Sequence, residues 1–244
     1  YRYYGYVVDH IIETQEQADN ALYDSSAKCY RPSDGKNIAG RKEIGDYEWK
    51  NREGSQTKDG KDYIDSQDQF LLGYTVPHST GGLNNNFTYK NFTLNIFVDW
   101  ALGHSINNNS EMRYFMNTFA NNYTLIDEVK QCWKQPGDNT KYARFTANDP
   151  DDGNANFSRT SNVFNYKGDY LCIREISLQY NVPTNKLTKL GIQNLAITLA
   201  GNNLHYFTAV KGVSPEVGAS TTYNKDYYNY PPIRKYSVGV KVTF

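Results

Sequence analysis

The feature that most constrains this chain is the strict alternation of apolar and polar residues at its end. Within the last twelve residues, Tyr236, Val238 and Val240 share one phase, and Val242 and Phe244 continue it. Small polar residues and a lysine fill most of the positions between them. Because successive side chains of a β-strand point to opposite faces, this pattern predicts a strand whose apolar face runs to the last residue.

The same period of two recurs elsewhere, so we expect about six strands and an all-β fold. In one segment the apolar residues change phase near Arg174 and Glu175. An extra residue in a strand produces such a change, and we therefore predict a β-bulge there. The candidate strands are 1–8, 82–89, 92–102, 170–182, 195–200 and 233–244.

Composition supports strands joined by polar loops and excludes several classes of protein. The 244 residues include 22 Tyr and 11 Phe but only 2 Met, with a mean hydropathy of −0.74. No apolar run reaches the roughly 18 residues that a membrane-spanning helix needs. The 26 basic and 26 acidic residues balance, and the pI is about 7.1. That balance argues against a nucleic-acid-binding face, which requires a positive excess.

The connections between the candidate strands alternate between short and long. The turn at Lys90 and Asn91 is short, whereas the connections near 9–78, 104–167 and 207–232 are long. Compact soluble domains rarely carry such loops, but transmembrane β-barrels combine short turns with long extracellular loops. We also expect a helix over 110–133. Alternation by itself equally describes a secreted soluble β-sandwich, such as a carbohydrate-binding or adhesin module, which stays the alternative.

A short motif at the end of the chain favours the barrel. Ser237 and Gly239 are followed by Val242 and Phe244, each at its position in a polar-x-Gly-x-x-apolar-x-Phe pattern. This pattern resembles the assembly signal of bacterial outer-membrane barrels. A last strand of this kind presents a lipid-facing stripe and an edge that can close the barrel.

A family resemblance then covers nearly the whole chain. Several ordered motifs are similar to the late barrel strands of the SusC/RagA family of TonB-dependent transporters, including Gly212-Val-Ser-Pro-Glu216. The other segments that carry the resemblance are 4–12, 63–68, 72–77, 87–94, 170–183, 191–208 and 230–244.

The resemblance implies a fold, a location and a set of partners. It implies that residues 1–244 are the C-terminal strands of a large antiparallel transmembrane barrel of about 22 strands, with the plug domain absent from this chain. It also implies import of oligosaccharides or peptides across the bacterial outer membrane, contact with lipid, energy from TonB and a lid formed by a SusD-like surface lipoprotein. No carboxylate pair or nucleophile constellation accompanies these motifs, so we predict no enzymatic activity.

The polar phase of the strands supplies the candidate substrate contacts. In a barrel these residues would face the lumen, where polar side chains are expected. Asp99 would be a general-base candidate in a soluble enzyme, but we interpret it as a lumen residue. The lumen-facing candidates are Thr93, Asn95, Asp99, Thr198, Asn202 and Lys241.

Metal and cysteine chemistry are only weakly indicated. Four aspartates, Asp59, Asp62, Asp65 and Asp68, lie close enough in sequence to supply oxygen ligands to Ca²⁺. Their spacing is not that of an EF-hand, so a solvated acidic turn is the favoured reading and no cofactor is predicted. Cys29 and Cys132 lie in long loops, and whether they form a disulfide stays open. We expect Cys172 to be a free thiol on the apolar face of its strand.

Overall fold

The computed structural model divides the chain into two compact units. Unit 1 comprises the described residues of Tyr1–Thr75 and Ser105–Tyr166, and unit 2 those of Val76–His104, Lys167–Ala219 and Asn229–Phe244. The structure describes residues 1–24, 42–52, 57–58, 61–108, 111–112, 115, 125–145, 156–157, 159–183, 185, 187, 191–216 and 232–244.

Among the described residues, short strands dominate unit 1, long strands dominate unit 2, and helices are few. The helix α1 spans Gln15–Asn20, and 3-10 helices span Ser66–Asp68 and Asp127–Gln131. No helix among the described residues has the length and apolar character needed to cross a membrane. The strands are β1 Arg2–Gly5, β2 Val8–Ile11, β3 Tyr23–Asp24, β4 Tyr47–Trp49, β5 Thr57–Lys58, β6 Lys61–Ile64, β7 Phe70–Tyr74, β8 Ser79–Tyr89, β9 Phe92–Leu102, β10 Ser105–Asn107, β11 Asn165–Lys167, β12 Tyr170–Asn181, β13 Asn194–Thr208 and β14 Lys235–Thr243.

Unit 2 is built on one antiparallel sheet of five long strands. Their order is β14-β13-β12-β9-β8, so strands that follow one another within the unit lie side by side. The predicted tight turn joins β8 to β9, and Lys90 adopts a positive φ of 53° there. The sixth candidate strand, near 1–8, is different: β1 pairs with β7 in a separate two-stranded sheet.

The predicted bulge is confirmed in β12. Against β9, Ile173 and Glu175 face the consecutive residues Val98 and Phe97, so Arg174 is the inserted residue. Against β13 they face His205 and Asn202, so there the extra residue lies in β13. In β13 the matching irregularity includes Asn203, which has a φ of 52°. Because the bulge reverses the phase of β12, Cys172 lies on the polar side, opposite Asp99. The prediction that this thiol lies on the apolar face is therefore wrong.

The two faces of the five-stranded sheet differ sharply in chemistry. One face carries the apolar phase of every strand, and its side chains are exposed: Phe87 is 58% exposed, Leu199 51% and Val238 74%. The register places Leu178 beside Leu94 and Leu199 on that face. The opposite face carries mainly amide, hydroxyl and charged side chains. Among the described residues, the apolar face of the sheet is thus exposed rather than covered.

Unit 1 has a conventional buried core made largely of aromatic rings. Tyr47, Trp49 and Phe115 are each no more than 1% exposed. The ring of Phe115 stacks on Tyr142 at 4.6 Å and lies 5.4 Å from Phe164. Sequence reasoning treated these regions as long polar loops, but they fold into a core because scattered aromatic residues converge from distant segments.

The helix expected over 110–133 is only partly present. Glu111, Met112 and Phe115 are helical, but Ile126 is extended, and the chain continues in the 3-10 helix Asp127–Gln131. A continuous helix to residue 133 is therefore wrong. Ile126 and Val129 pack against the core of unit 1, and this tertiary contact takes precedence over local helix propensity.

Two buried carboxylates of unit 1, Asp46 and Glu48, are paired with basic side chains. Asp46 is fully buried, and its carboxylate accepts hydrogen bonds from Arg144 Nε at 2.7 Å and Asn156 Nδ2 at 3.0 Å. The pKa of Asp46 lies above its usual value, because burial penalises its charge more than these partners favour it. Lys42 and Glu48 form a second buried pair at 2.5 Å.

Candidate functional site: the polar face of the sheet

The sheet register brings all six lumen-facing candidates onto one face. Thr93 lies opposite Gln179, and Gln179 lies opposite Thr198, so these three side chains form one row. Directly opposed residues of neighbouring strands share a face, and alternate residues along a strand do so as well. The other members of the same face are Asn95, Asp99, Asn202 and Lys241.

The candidates differ in how their polar groups are used. Thr93 Oγ1 lies 3.5 Å from Thr88 Oγ1, and Asn202 Nδ2 donates to Glu175 Oε2 at 3.3 Å. Asn95 Oδ1 is buried and has no hydrogen-bond partner among the described residues. This face therefore offers amide and hydroxyl groups, in part unused, along several neighbouring strands.

A charged cluster at the bulge is the most highly connected part of this face. Arg174 donates to both carboxylate oxygens of Asp99, from Nε at 3.0 Å and from Nη2 at 2.7 Å. Nη1 of the same side chain donates to Asn203 Oδ1 at 2.8 Å and to Tyr206 Oη at 3.2 Å. Nη2 also donates to the Glu216 carboxylate.

Sequence reasoning found Asp99 but missed Arg174 and Glu216 as its neighbours. Arg174 is the inserted residue of the bulge, so the alternation assigns it to neither face. Glu216 follows β13 and lies 42 positions from Arg174 in the sequence. The bulge prediction and the Gly212-Val-Ser-Pro-Glu216 motif were the two signals available, and neither one links the residues by itself.

The acidic turn is organised by backbone contacts. Asp68 is buried, and its two carboxylate oxygens accept from the backbone N–H groups of Arg52 at 2.7 Å and Asp65 at 2.8 Å. Asp65 Oδ1 accepts from Gln67 N at 2.6 Å. Asp62 is exposed, and Asp59 lies outside the described residues. Within the described part of the chain, no group of three or more His, Cys, Asp and Glu residues is placed to hold a metal ion.

The cysteines that the structure describes are buried free thiols. They are Cys132 and Cys172, whereas Cys29 lies outside the described residues. Burial raises the pKa of the Cys132 thiol to about 12, so it is protonated and unreactive near neutral pH.

The residues of the assembly motif lie on both faces of β14. Val242 belongs to the apolar face, opposite Leu195, and Gly239 to the polar face, opposite Thr198. Ser237 lies on the polar face opposite Ala200, and Phe244 follows the strand with 79% of its surface exposed. Among the described strands, β14 pairs only with β13, so its other edge is available for pairing.

Comparisons with known proteins give related sequences of one kind. The chain is 28% identical over 194 residues to TonB-dependent receptor P3 of Formosa agariphila, which covers 76% of this chain and 18% of that protein. It is 27% identical over 200 residues to TonB-dependent receptor P39 of the same organism, covering 78% of this chain and 18% of the relative. The chain thus spans about a fifth of the length of the curated relatives it matches. No protein-family model matches it.

Solved structures agree with the sequence relatives on the fold. The RagAB peptide importer in its closed-closed state matches with a TM-score of 0.67 at 18% identity, over 99% of this chain and 23% of the importer chain. A structure of the RagAB peptide transporter matches with a TM-score of 0.62 at 19% identity, over 82% of this chain and 21% of that one. The predicted all-β barrel portion is confirmed. These relatives and this fold agree with the resemblance to SusC/RagA-like TonB-dependent receptors that the sequence motifs indicate.

Proposed function

We propose that this chain forms part of the wall of a TonB-dependent outer-membrane importer, with its polar face toward the solute path and its apolar face toward lipid. The observation that carries the proposal is the separation of the two faces. Exposing a large contiguous apolar surface to water is unfavourable, and soluble monomers rarely do so. Contact with lipid hydrocarbon removes that cost.

The same observation counts against a soluble β-sandwich. In that alternative, the apolar stripe of the last strand would be buried in a core. Tyr236 is instead 75% exposed and Val240 64% exposed, and no described segment covers this face of β14. The importer therefore accounts for the exposed stripe, whereas the sandwich requires it to be covered.

For the solute, we propose oligosaccharides or peptides, recognised through hydrogen bonds. Thr93, Asn95, Thr198 and Asn202 present uncharged donors and acceptors, which suit hydroxyl and amide groups of such solutes. The likeness to a peptide importer and the family resemblance support this solute class. They also support TonB as the energy source and a SusD-like surface lipoprotein as the lid.

The experiment that tests this orientation uses two adjacent positions of β13. Thr198→Cys and Leu199→Cys are introduced separately into the full-length receptor and treated in intact outer membranes with a water-soluble maleimide. We expect the cysteine at 198 to be labelled and the one at 199 to be protected, because they point to opposite faces. Background labelling is measured in the unsubstituted receptor.

Two results would overturn the proposal. Equal labelling at both positions would mean that no lipid layer covers the apolar face. Recovery of the native polypeptide in a soluble fraction without detergent would favour the secreted β-sandwich module.

A further inference from the structure

We propose that residues Gly212–Glu216, here called the strap, are held on the polar face of the sheet by Arg174 and can dissociate from it while the sheet stays folded. The strap would then switch between a bound and a released conformation. This inference goes beyond the import function. It rests on two groups of contacts within unit 2, made by side chains on different elements.

The first fastening is the Glu216 carboxylate. It accepts hydrogen bonds from Arg174 Nη2 and from Tyr206 Oη, the latter at 3.0 Å. Arg174 is itself held by both oxygens of Asp99 and by Asn203. The Arg174 guanidinium is therefore held on the sheet independently of Glu216. Charge-assisted hydrogen bonds of this kind are among the strongest in proteins.

The second fastening involves the residue before Glu216. Pro215 is buried, and its carbonyl group lies close to the His104 side chain. Burial lowers the pKa of His104, which favours the neutral ring. The strap is thus held at consecutive residues against the bulge of β12 and against the turn after β9.

Unlike the sheet, the strap is not held by a ladder of backbone hydrogen bonds among the described residues. It forms no strand, and Gly212 has a positive φ of 75°. The backbone N–H of Glu216 donates to Ser214 Oγ at 3.2 Å, a contact within the strap. The carboxylates of the first fastening are also partly accessible, with 21% of the Asp99 side chain and 25% of the Glu216 side chain exposed. Segments that depend on a few side-chain anchors open at lower free energy than the strands beside them.

Detachment of the strap would change the groups that a solute meets, an effect that rests on the proposed import function. If the polar face borders the solute path, release of Glu216 leaves one guanidinium donor free beside that path. The position of the strap would then regulate how much of the charged cluster a solute meets.

The test is hydrogen–deuterium exchange on the full-length receptor carrying Glu216→Gln, a substitution that keeps the size and removes the charge. We expect exchange of the peptide containing 209–216 to become about tenfold faster, with exchange of β12 and β13 changed less than twofold. Tyr206→Phe should give a smaller increase, since it removes only the hydroxyl contacts.

The matched control is Glu175→Gln. Glu175 lies next to Arg174 in β12 and contacts Asn202 rather than the strap, so its substitution should leave exchange of 209–216 unchanged. If Glu216→Gln leaves the exchange rate of the peptide containing 209–216 unchanged, the proposal that Glu216 holds the strap is wrong. An equal loss of protection in β12 and β13 would also overturn it, because Glu216 would then stabilise the sheet itself. Neither readout depends on which face contacts lipid, so this proposal and the import function fail separately.

Discussion

The two units of this chain place the same kinds of residue in opposite environments. In unit 1, the rings of Tyr47, Trp49 and Phe164 are at most 1% exposed and belong to one buried cluster. In unit 2, Phe207 is 56% exposed and Tyr236 75% exposed, although both lie on regular strands. The same residue types are therefore buried in one unit and exposed in the other. Unit 1 has the core of a protein in water, whereas the exposed apolar face of unit 2 is the surface that we propose contacts lipid.

The largest effect that separates the units should come from removing a ring. Phe164→Ala should destabilise unit 1 by about 3–5 kcal/mol, because its ring packs against Phe115, Tyr142 and Phe157 and its loss leaves a cavity. Phe207→Ala, on the exposed face of β13, is the matched control and should cost much less. Hydrogen–deuterium exchange of each unit in the full receptor measures both changes. Equal costs would show that the two rings are buried to the same extent.

The next effect should come from a charge placed on either face of β13. In the proposed orientation, Leu199→Arg should destabilise the sheet by about 2–4 kcal/mol, the cost of a charged side chain near the lipid midplane. Thr198→Arg, one residue away on the polar face, should be tolerated. The amount of folded receptor in outer membranes measures the difference. Similar yields for both variants would mean that the two faces meet the same environment.

The smallest difference should lie between one arginine–aspartate pair of each unit, Arg144–Asp46 in unit 1 and Arg174–Asp99 in unit 2. Asp46→Asn in unit 1 should cost about 3 kcal/mol, because it leaves the half-buried Arg144 guanidinium with Glu43 as its remaining carboxylate partner. Asp99→Asn in unit 2 should cost about 1 kcal/mol, since water reaches that pair and Glu216 remains beside Arg174. Thermal unfolding of the two variants, together with hydrogen–deuterium exchange near each substituted residue, ranks the two stability costs. A larger cost at Asp99 would reverse the proposed difference in solvent access.

The strands of unit 2 could be predicted because their signal is local. The expected strand 92–102 coincides with β9, and 170–182 nearly coincides with β12. The expected strand 195–200 was too short, because β13 runs to Thr208 through Gly201, Asn202 and Asn203, where the alternation is lost at the irregularity.

The candidate site could be predicted only in part. Alternation placed Thr93, Asn95 and Thr198 on one face, as the register bears out. It could not find the Arg174 cluster, since an inserted residue has no assigned face. That these residues contact solute stays a prediction, as does the role of the residues at the end of β14 in assembly.

Unit 1 shows what local pattern cannot supply. Its core has no periodic signature, because its rings come from segments far apart in the chain. The Tyr47 backbone N–H, for example, donates to the Asn156 side chain 109 positions away. The local pattern was enough to locate the long strands and the apolar face of each, because strand geometry converts a period of two directly into two faces. The core formed by the loops and the contact between Arg174 and Glu216 emerge only in the folded molecule, since both depend on distant residues that no local pattern brings together.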